Sequence, residues 1–358
     1  MNSLIILSVM PLIGNSIFSS INMPVKKKRT AYLWFCGIWM VFVMGLRWRY
    51  TGTTDTDMYC RIIEGLRVNG ISFSAYIQSR LAETNLLTSE IGFYAFAWVV
   101  ANVFYYPQYL LLFSAAITTA CVLRFIRLYS KDCEISVTMY ICLGLFTFNM
   151  NGMRQALAMS ICLIAYDFIV KKKPISFVLT ILVAMTFHKT AIIFLPFYLI
   201  AYVKYNFWHV SIFIAIIAFF YRFSNVLVKV FDDAMDKSYA ASESAEGGGI
   251  VVVAIYICIL ILAVMYRKSL DGNTARKCFF MTITGFALYF ARYFSAGIYE
   301  RMSYYFFYYS ILLLPAVISK APEQERKFVK FGIIFLSIVL FISRVNRGAF
   351  MDFKLFFN

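Results

Sequence analysis

From Pro174 to Val203 the chain reads PISFVLTILVAMTFHKTAIIFLPFYLIAYV. Two apolar runs, 174–187 and 190–203, flank the polar pair His188-Lys189, with Lys171–Lys173 before them and Lys204 after. Lipid offers a backbone no water to bond, so only helices or closed barrels span it. These runs are continuous rather than alternating, which selects helices. Basic residues collect on the cytoplasmic side of membrane helices. Lysines at both outer ends therefore describe a hairpin that enters and leaves from one side, with His188 at the opposite, outer turn.

The rest of the chain repeats this pattern. Hydrophobic residues make up 61% of the 358 and charged residues only 15%, and the mean hydropathy is +0.74. A soluble domain is about half apolar and about a quarter charged. Reading helices between basic anchors gives spans near 4–21, 30–46, 108–126, 135–150, 154–170, 174–187, 190–203, 207–221, 250–266, 278–296, 303–319 and 328–344. The expected fold is an all-α polytopic membrane protein of about 12 transmembrane helices, read as one transmembrane domain over 1–358 with both termini outside. The Met1–Ile21 run has no basic segment before it, so it reads as a retained helix rather than a cleaved signal. Residues 90–106 are apolar enough to cross, yet a full crossing would put Lys171–Lys173 outside. They read instead as a re-entrant or interfacial helix ending at Tyr105-Tyr106-Pro107.

The net charge of +16 would suggest nucleic acid in a soluble protein. Here topology accounts for most of it. Lys26–Arg29, Arg124/Arg127/Lys131, Lys171–Lys173, Lys204, Arg267/Lys268/Arg276/Lys277 and Lys320/Arg326/Lys327/Lys330 hold more than half of the 34 basic residues. Nucleic acid is not an expected partner; the bilayer is. The eight cysteines form no CxxC pair and mostly sit inside apolar runs, which points to core packing rather than to a metal site or disulfide framework. No internal repeat is visible, which weighs against a symmetric transporter.

Two polar loops are expected on the outer face, 47–89 and 222–249, the second ending in Gly247–Gly249 and reading as a lid or partly disordered segment. Several outer cations stand where helices end: Arg47, Arg49, Arg154, Lys189, Arg292 and Arg301. Charges at membrane depth are costly and usually face a cavity or a partner. A convergent set suits a diphosphate, because guanidinium grips phosphate oxygens in a bidentate fork and keeps its charge. The alternative for each is a side chain snorkelling to lipid phosphate. His188 can bind phosphate or move a proton near neutral pH, or simply satisfy a backbone carbonyl. His209, beside Trp208, reads as interfacial.

Asn149-Met150-Asn151-Gly152-Met153-Arg154-Gln155 joins two helices, and amides at the start of the second helix would add to an anion site. Its plainer reading is a capped turn. Arg47 through Tyr59 packs two arginines, a glycine turn at Gly52 and the carboxylates Asp55 and Asp57 just outside a helix. Those acids serve either as a general base or as salt-bridge partners. Glu300-Arg301 precedes the aromatic run Tyr304–Tyr309, which reads as an interfacial belt or a sugar-stacking wall.

Taken in order, these pieces resemble the EpsG/Wzy-type polymerases of O-antigen, capsule and exopolysaccharide. The family's Arg-rich turn and Gly-Thr-Asp-Thr-x-x-Tyr motif are matched by Gly52 to Tyr59, with one extra Thr. Its Met-Arg-Gln motif is matched by Met153-Arg154-Gln155, and its Phe-His-x-x-Ala hairpin by Phe187-His188 and Ala191. Its late Glu-Arg-x-x-x-Tyr-Phe is matched by Glu300-Arg301 through Tyr305-Phe306, so the likeness runs from about 45 to 310.

The resemblance implies a GT-C-like helical fold working at the outer leaflet of a bacterial cytoplasmic membrane. It implies a glycosyltransferase that moves a growing glycan from undecaprenyl diphosphate onto the terminal sugar of an incoming lipid-linked repeat, usually alongside a chain-length regulator. The leaving group is already good, so neither nucleotide sugar, cofactor nor metal is required, and cations supply the electrostatic stabilisation. On this reading Arg154, Arg301, Arg47, Arg49 and Lys189 address the diphosphate, with Gln155 and Tyr59 supporting. His188 shares the diphosphate or the proton chemistry; Asp55 is the first candidate base and Glu300 the second. Competing readings are an O-antigen ligase of related fold, a lipid-linked glycan flippase with Asp167 as its main buried acid, and a structural scaffold.

Overall fold

The computed structural model describes residues 3–51, 54–83, 89–202, 208, 211, 222, 249–266, 268, 270, 272–293, 298–346 and 350–357. Among them the chain is helical, with no strand beyond one isolated antiparallel bridge between Arg47 and Leu355. It divides into two compact units, Met1–Ile192 with Phe331–Asn358, and Ile193–Lys330.

The first unit begins with α1 (Ser3–Ser20) and α2 (Val25–Gly45), then α3 (Thr54–Asn69), α4 (Phe73–Glu83) and α5 (Ile91–Phe104). It continues through α6 (Pro107–Tyr129), α7 (Cys133–Cys142), α8 (Leu145–Asn151), α9 (Met153–Val170) and α10 (Pro174–Phe187). A 3₁₀ segment, Lys189–Phe194, follows. The second unit carries α11 (Phe197–Ile200), α12 (Gly249–Met265), α13 (Asn273–Ala291), α14 (Ile298–Phe307) and α15 (Ser310–Ile318). The chain then returns to the first unit along α16 (Glu323–Val345).

Local chemistry explains the boundaries. Pro107 opens α6, where its missing N–H costs nothing. At the other end Arg29 Nη2 donates to the Ile126 and Ser130 carbonyls, 2.9 Å each, the first of which also accepts the Ser130 amide. Asp132 caps α7 by accepting from the Glu134 and Ile135 amides at 3.0 and 3.2 Å. Acidic Glu323 and Glu325 start α16 and Arg344 ends it, each matched to the helix dipole.

Among the described residues, α6, α9 and α16 are long and apolar enough to cross a bilayer. The pair α7–α8, bent by 49°, adds a fourth crossing if counted as one span. The expected twelve spans and GT-C-like plan reach beyond these helices. On α16 the large apolar side chains Phe328, Phe331, Phe335 and Leu336 stand exposed, as a lipid-facing surface requires. Helix α5 has 14 residues, about 21 Å at 1.5 Å each, which is short of the ~30 Å apolar core. It ends where the sequence placed it, at a left-handed Tyr105 (φ 65°).

Four expectations need correction. The 47–89 segment is not a loop: α3 and α4 occupy most of it. Acids in the first turn of α3, Arg67 in its last, and an Asp57–Arg61 pair one turn apart stabilise a helix without an apolar stripe long enough to cross. The 135–150 span is broken at Gly144 (φ +89°), where Arg344 Nη1 donates to the Leu143 carbonyl at 3.3 Å. The 190–203 span gives way to a 3₁₀ segment and one short helix around Pro196, which has no N–H for a continuing ladder. The 303–319 span breaks before Ser310, whose hydroxyl returns to the Phe307 carbonyl at 2.7 Å. The 207–221 span, His209 and nearly all of the 222–249 loop lie outside the described residues, as does Gly52.

A Cβ on Gly144 would fall on the Arg344 guanidinium, and its φ is disfavoured for any L side chain. Gly144→Ala is therefore expected to destabilise by about 2 kcal/mol or more. Thermal unfolding in detergent reads this directly: an unchanged midpoint would show that the break tolerates a side chain.

Candidate functional site

Glu90 stands immediately before the apolar run of α5. Its carbonyl accepts the Phe93 amide at 3.0 Å and so starts the helix. Its own backbone is left-handed (φ 50°, ψ 36°), and its side chain does not cap. A non-glycine residue held there is strained, and the surroundings must hold it. They do so through its carboxylate, which is 4% exposed.

Two segments distant in sequence reach that carboxylate. Arg154, in the first turn of α9, places Nη1 2.6 Å from Glu90 Oε2. His188, extended at the end of α10, places Nδ1 2.5 Å from Glu90 Oε1. The Lys189 amide donates to the same oxygen at 3.5 Å. Gly92 makes this approach possible: a Cβ there would overlap the Thr186 hydroxyl, so only glycine lets α5 lie so close to α10.

An aromatic wall closes the cluster. The Arg154 guanidinium lies 5.7 Å from the Tyr59 ring centre and 5.9 Å from that of Phe93. Tyr59 and Phe93 meet edge to face at 5.5 Å. Burial pushes the Tyr59 phenol above its usual range, against the lowering effect of Arg154. Asp55 lies one turn before Tyr59 on α3, half-buried, and forms no ion pair among the described residues. Gln155 and Asn149 are buried, Asn149 donating to the Tyr140 hydroxyl at 2.8 Å.

The two arginines of the Arg47–Tyr59 motif do different things. Arg47 is buried, and its guanidinium donates to the Met44 carbonyl and, at 2.6 Å, to the Met150 carbonyl. It pins the end of α8, four residues ahead of Arg154. Burial pulls its guanidinium down to about 10, which leaves it a cation at neutral pH. Its backbone pairs with the chain's last residues: Trp48 N donates to the Lys354 carbonyl at 2.9 Å, and Phe356 N to the Leu46 carbonyl at 2.7 Å. This geometry makes Arg47 a positioning residue, in place of the diphosphate ligand expected from sequence. Arg47→Lys cannot bridge both carbonyls, and charged hydrogen bonds contribute about 1.5–3 kcal/mol each. A drop of that size in stability is expected, read as yield and unfolding temperature in detergent; wild-type behaviour would remove the bridging role.

Arg49 grips Glu64 with both terminal nitrogens, at 2.5 and 3.1 Å, and Asp57 with Nε at 2.7 Å. Asp57 also receives Arg61 Nε at 2.7 Å. Although burial pushes it up, the hydrogen bonds from Arg61 and Arg49 hold the Asp57 carboxyl below its ordinary value.

Glu300 and Arg301 belong to the second unit. Glu300 Oε2 pairs with Arg292 Nη1 at 2.8 Å, and the same nitrogen donates to the Tyr289 hydroxyl at 2.7 Å. Arg301, the next residue on α14, is exposed. The run Tyr304–Tyr309 is neither belt nor open wall, because all six side chains are buried. Phe307 stacks on Tyr256 with ring centres 3.8 Å apart, and Phe306 packs on Phe197 at 4.5 Å.

The structure thus gathers Arg154, His188, Lys189 and Tyr59 of the expected residues, places Asp55 a turn away, and leaves Arg49 in its own ion-pair network. Sequence reading missed Glu90, the residue that joins the others. Its signal was available: an acid at the mouth of an apolar run.

Comparison with curated proteins and with solved structures finds no match. The model of the EpsG family matches residues 31–355, a stretch that includes every residue of the cluster. The chain belongs to the EpsG family, and with it to membrane-bound polysaccharide biosynthesis.

Proposed function

We propose that this chain is a glycosyltransferase that polymerises polysaccharide. It joins undecaprenyl-diphosphate-linked repeat units at the outer face of a bacterial cytoplasmic membrane. The observation that carries the reading is the buried meeting of Arg154 and His188 on one carboxylate, Glu90. Both side chains come from family-like motifs far apart in the chain, and a buried convergence of ionisable groups at a helix entry is where chemistry is expected.

In the proposed step the acceptor hydroxyl attacks the donor's anomeric carbon. The bond from that carbon to the phosphate oxygen breaks, and the diphosphate lipid leaves with its electron pair. Arg154 and Lys189 stabilise the charge that develops on the leaving oxygens. His188, oriented through Nδ1 by Glu90, accepts the hydroxyl proton; Asp55 is the second candidate base. In the second unit, Arg301 is the candidate cation and Glu300 the candidate acid. A chain-length regulator is the proposed protein partner.

A flippase would need polar groups at mid-membrane depth. Asp167, its main acidic candidate, is instead paired with Arg124 and accepts from the Tyr129 hydroxyl at 2.7 Å, one turn before Lys171. That arrangement favours an enzyme over a carrier.

Deletion in a cell that makes the lipid-linked repeat tests the proposal. Glycan resolved on gels should collapse to single-repeat products while the lipid-linked repeat accumulates. Normal polymer would refute the reading, and loss of every glycan form at the outer face would point to a flippase.

A further inference from the structure

The end of α2 is capped from three places in the first unit. A helix leaves its last four carbonyls without an intrahelical donor, and Met44 and Gly45 at this end are buried. Gln108, in the first turn of α6, donates Nε2 to the Gly45 carbonyl at 2.5 Å and to the Arg47 carbonyl at 3.2 Å. The Phe356 amide donates to the Leu46 carbonyl at 2.7 Å. Arg47 covers the Met44 carbonyl with its own guanidinium, which also reaches the Met150 carbonyl at 2.6 Å. One cation thus joins the carbonyl ends of α2 and α8, where both helix dipoles favour it.

The surroundings fix this point further. Gly45 brings α2 against α6: a Cβ there would lie 3.0 Å from the Leu112 Cα. The segment Phe350–Phe357 holds the other side. Trp48 N donates to the Lys354 carbonyl at 2.9 Å, the Thr51 hydroxyl to the same oxygen at 3.2 Å, and the Trp48 and Phe356 rings lie 6.1 Å apart. From Met150 the chain turns at Gly152 and enters α9, whose second residue is Arg154. The Gly152 and Ala156 amides donate to the Phe148 and Gly152 carbonyls at 2.8 Å each, so a shift at Met150 is carried into the first turn of α9.

We propose that Gln108 and the Phe356 amide are positioning groups for the reaction. They fix the backbone from which Arg47 reaches Met150, and Arg47 in turn sets where α9 presents Arg154 to Glu90. The effect on rate rests on the polymerase reading above; the effect on geometry does not.

Gln108→Glu keeps the size of the side chain and turns oxygens toward both carbonyls. Phe356→Pro deletes the amide hydrogen, while the extended Leu355 that pairs with Arg47 tolerates a following proline. Phe356→Ala removes the ring and keeps the amide. Hydrogen exchange on the full chain in nanodiscs, read on peptides spanning 148–156, should be about tenfold faster in the first two variants and change less in Phe356→Ala. Peptides from α13, in the second unit, should exchange as in wild type. Chain extension per inserted protein, with a lipid-linked repeat as substrate, should fall about tenfold or more in kcat with KM little changed, because a displaced transition-state group costs rate rather than binding. Faster exchange confined to 44–51 and 350–357, equal acceleration in α13, or equal losses from Phe356→Ala and Phe356→Pro would each overturn the inference. Wild-type kcat from both Gln108→Glu and Phe356→Pro would do so too. Faster exchange at 148–156 in a chain whose wild type makes no polymer would support the positioning and overturn the polymerase reading. Unchanged exchange there in a protein that polymerises would do the reverse.

Discussion

Glu90→Ala is expected to abolish polymer and to lower stability by about 3–5 kcal/mol, the cost of removing one partner from a buried charge cluster. The carboxylate is 4% exposed and lies between the His188 imidazole at 2.5 Å and the Arg154 guanidinium at 2.6 Å. Without it the buried Arg154 guanidinium would lose its carboxylate and the His188 Nδ1 its acceptor. Yield after membrane insertion and unfolding temperature in detergent should both fall. Glu90→Gln separates stability from function. It keeps the shape and one acceptor oxygen, so it should insert better than the alanine variant while still losing most chain extension. Full-length polymer from inserted Glu90→Gln would remove the carboxylate's charge from the account.

Arg154→Ala is expected to slow chain extension about 10²-fold or more, by analogy with loss of one preorganised donor at a developing charge. Gels of surface glycan would show short products from normally inserted protein. Arg154→Lys keeps the charge but not the planar fork, and should fall between alanine and wild type. Because Arg154 and Glu90 face each other, their effects on stability should not add. The Glu90→Ala/Arg154→Ala double variant should unfold at a higher temperature than the sum of the single losses predicts. Wild-type polymer from Arg154→Ala would exclude this arginine from the reaction.

The helical membrane class was legible because apolar runs and basic anchors are local, additive signals. The α10 boundaries, 174–187, coincide with the sequence reading for that reason. The Met153-Arg154-Gln155 and Phe187-His188 motifs led to residues that do meet, yet the residue they meet did not stand out. Glu90 is 64 positions from Arg154 and 98 from His188, and neither periodicity nor spacing couples such distances. The helix α3 was readable from its Asp57–Arg61 pair and its terminal charges, but a search for apolar spans passes over a polar helix. Gly144 was visible as a glycine; its meaning depends on Arg344, two hundred residues later. Arg47 looked like an anion ligand because sequence gives charge but not direction. Only coordinates reveal that its donors face backbone carbonyls.

The most direct measurement supplies purified protein in vesicles with a single lipid-linked repeat unit and resolves the products by length. A ladder of successive repeats from wild type, absent from Arg154→Ala at equal protein, is the predicted result. No extension beyond the supplied unit, or the same ladder from both proteins, would contradict the account.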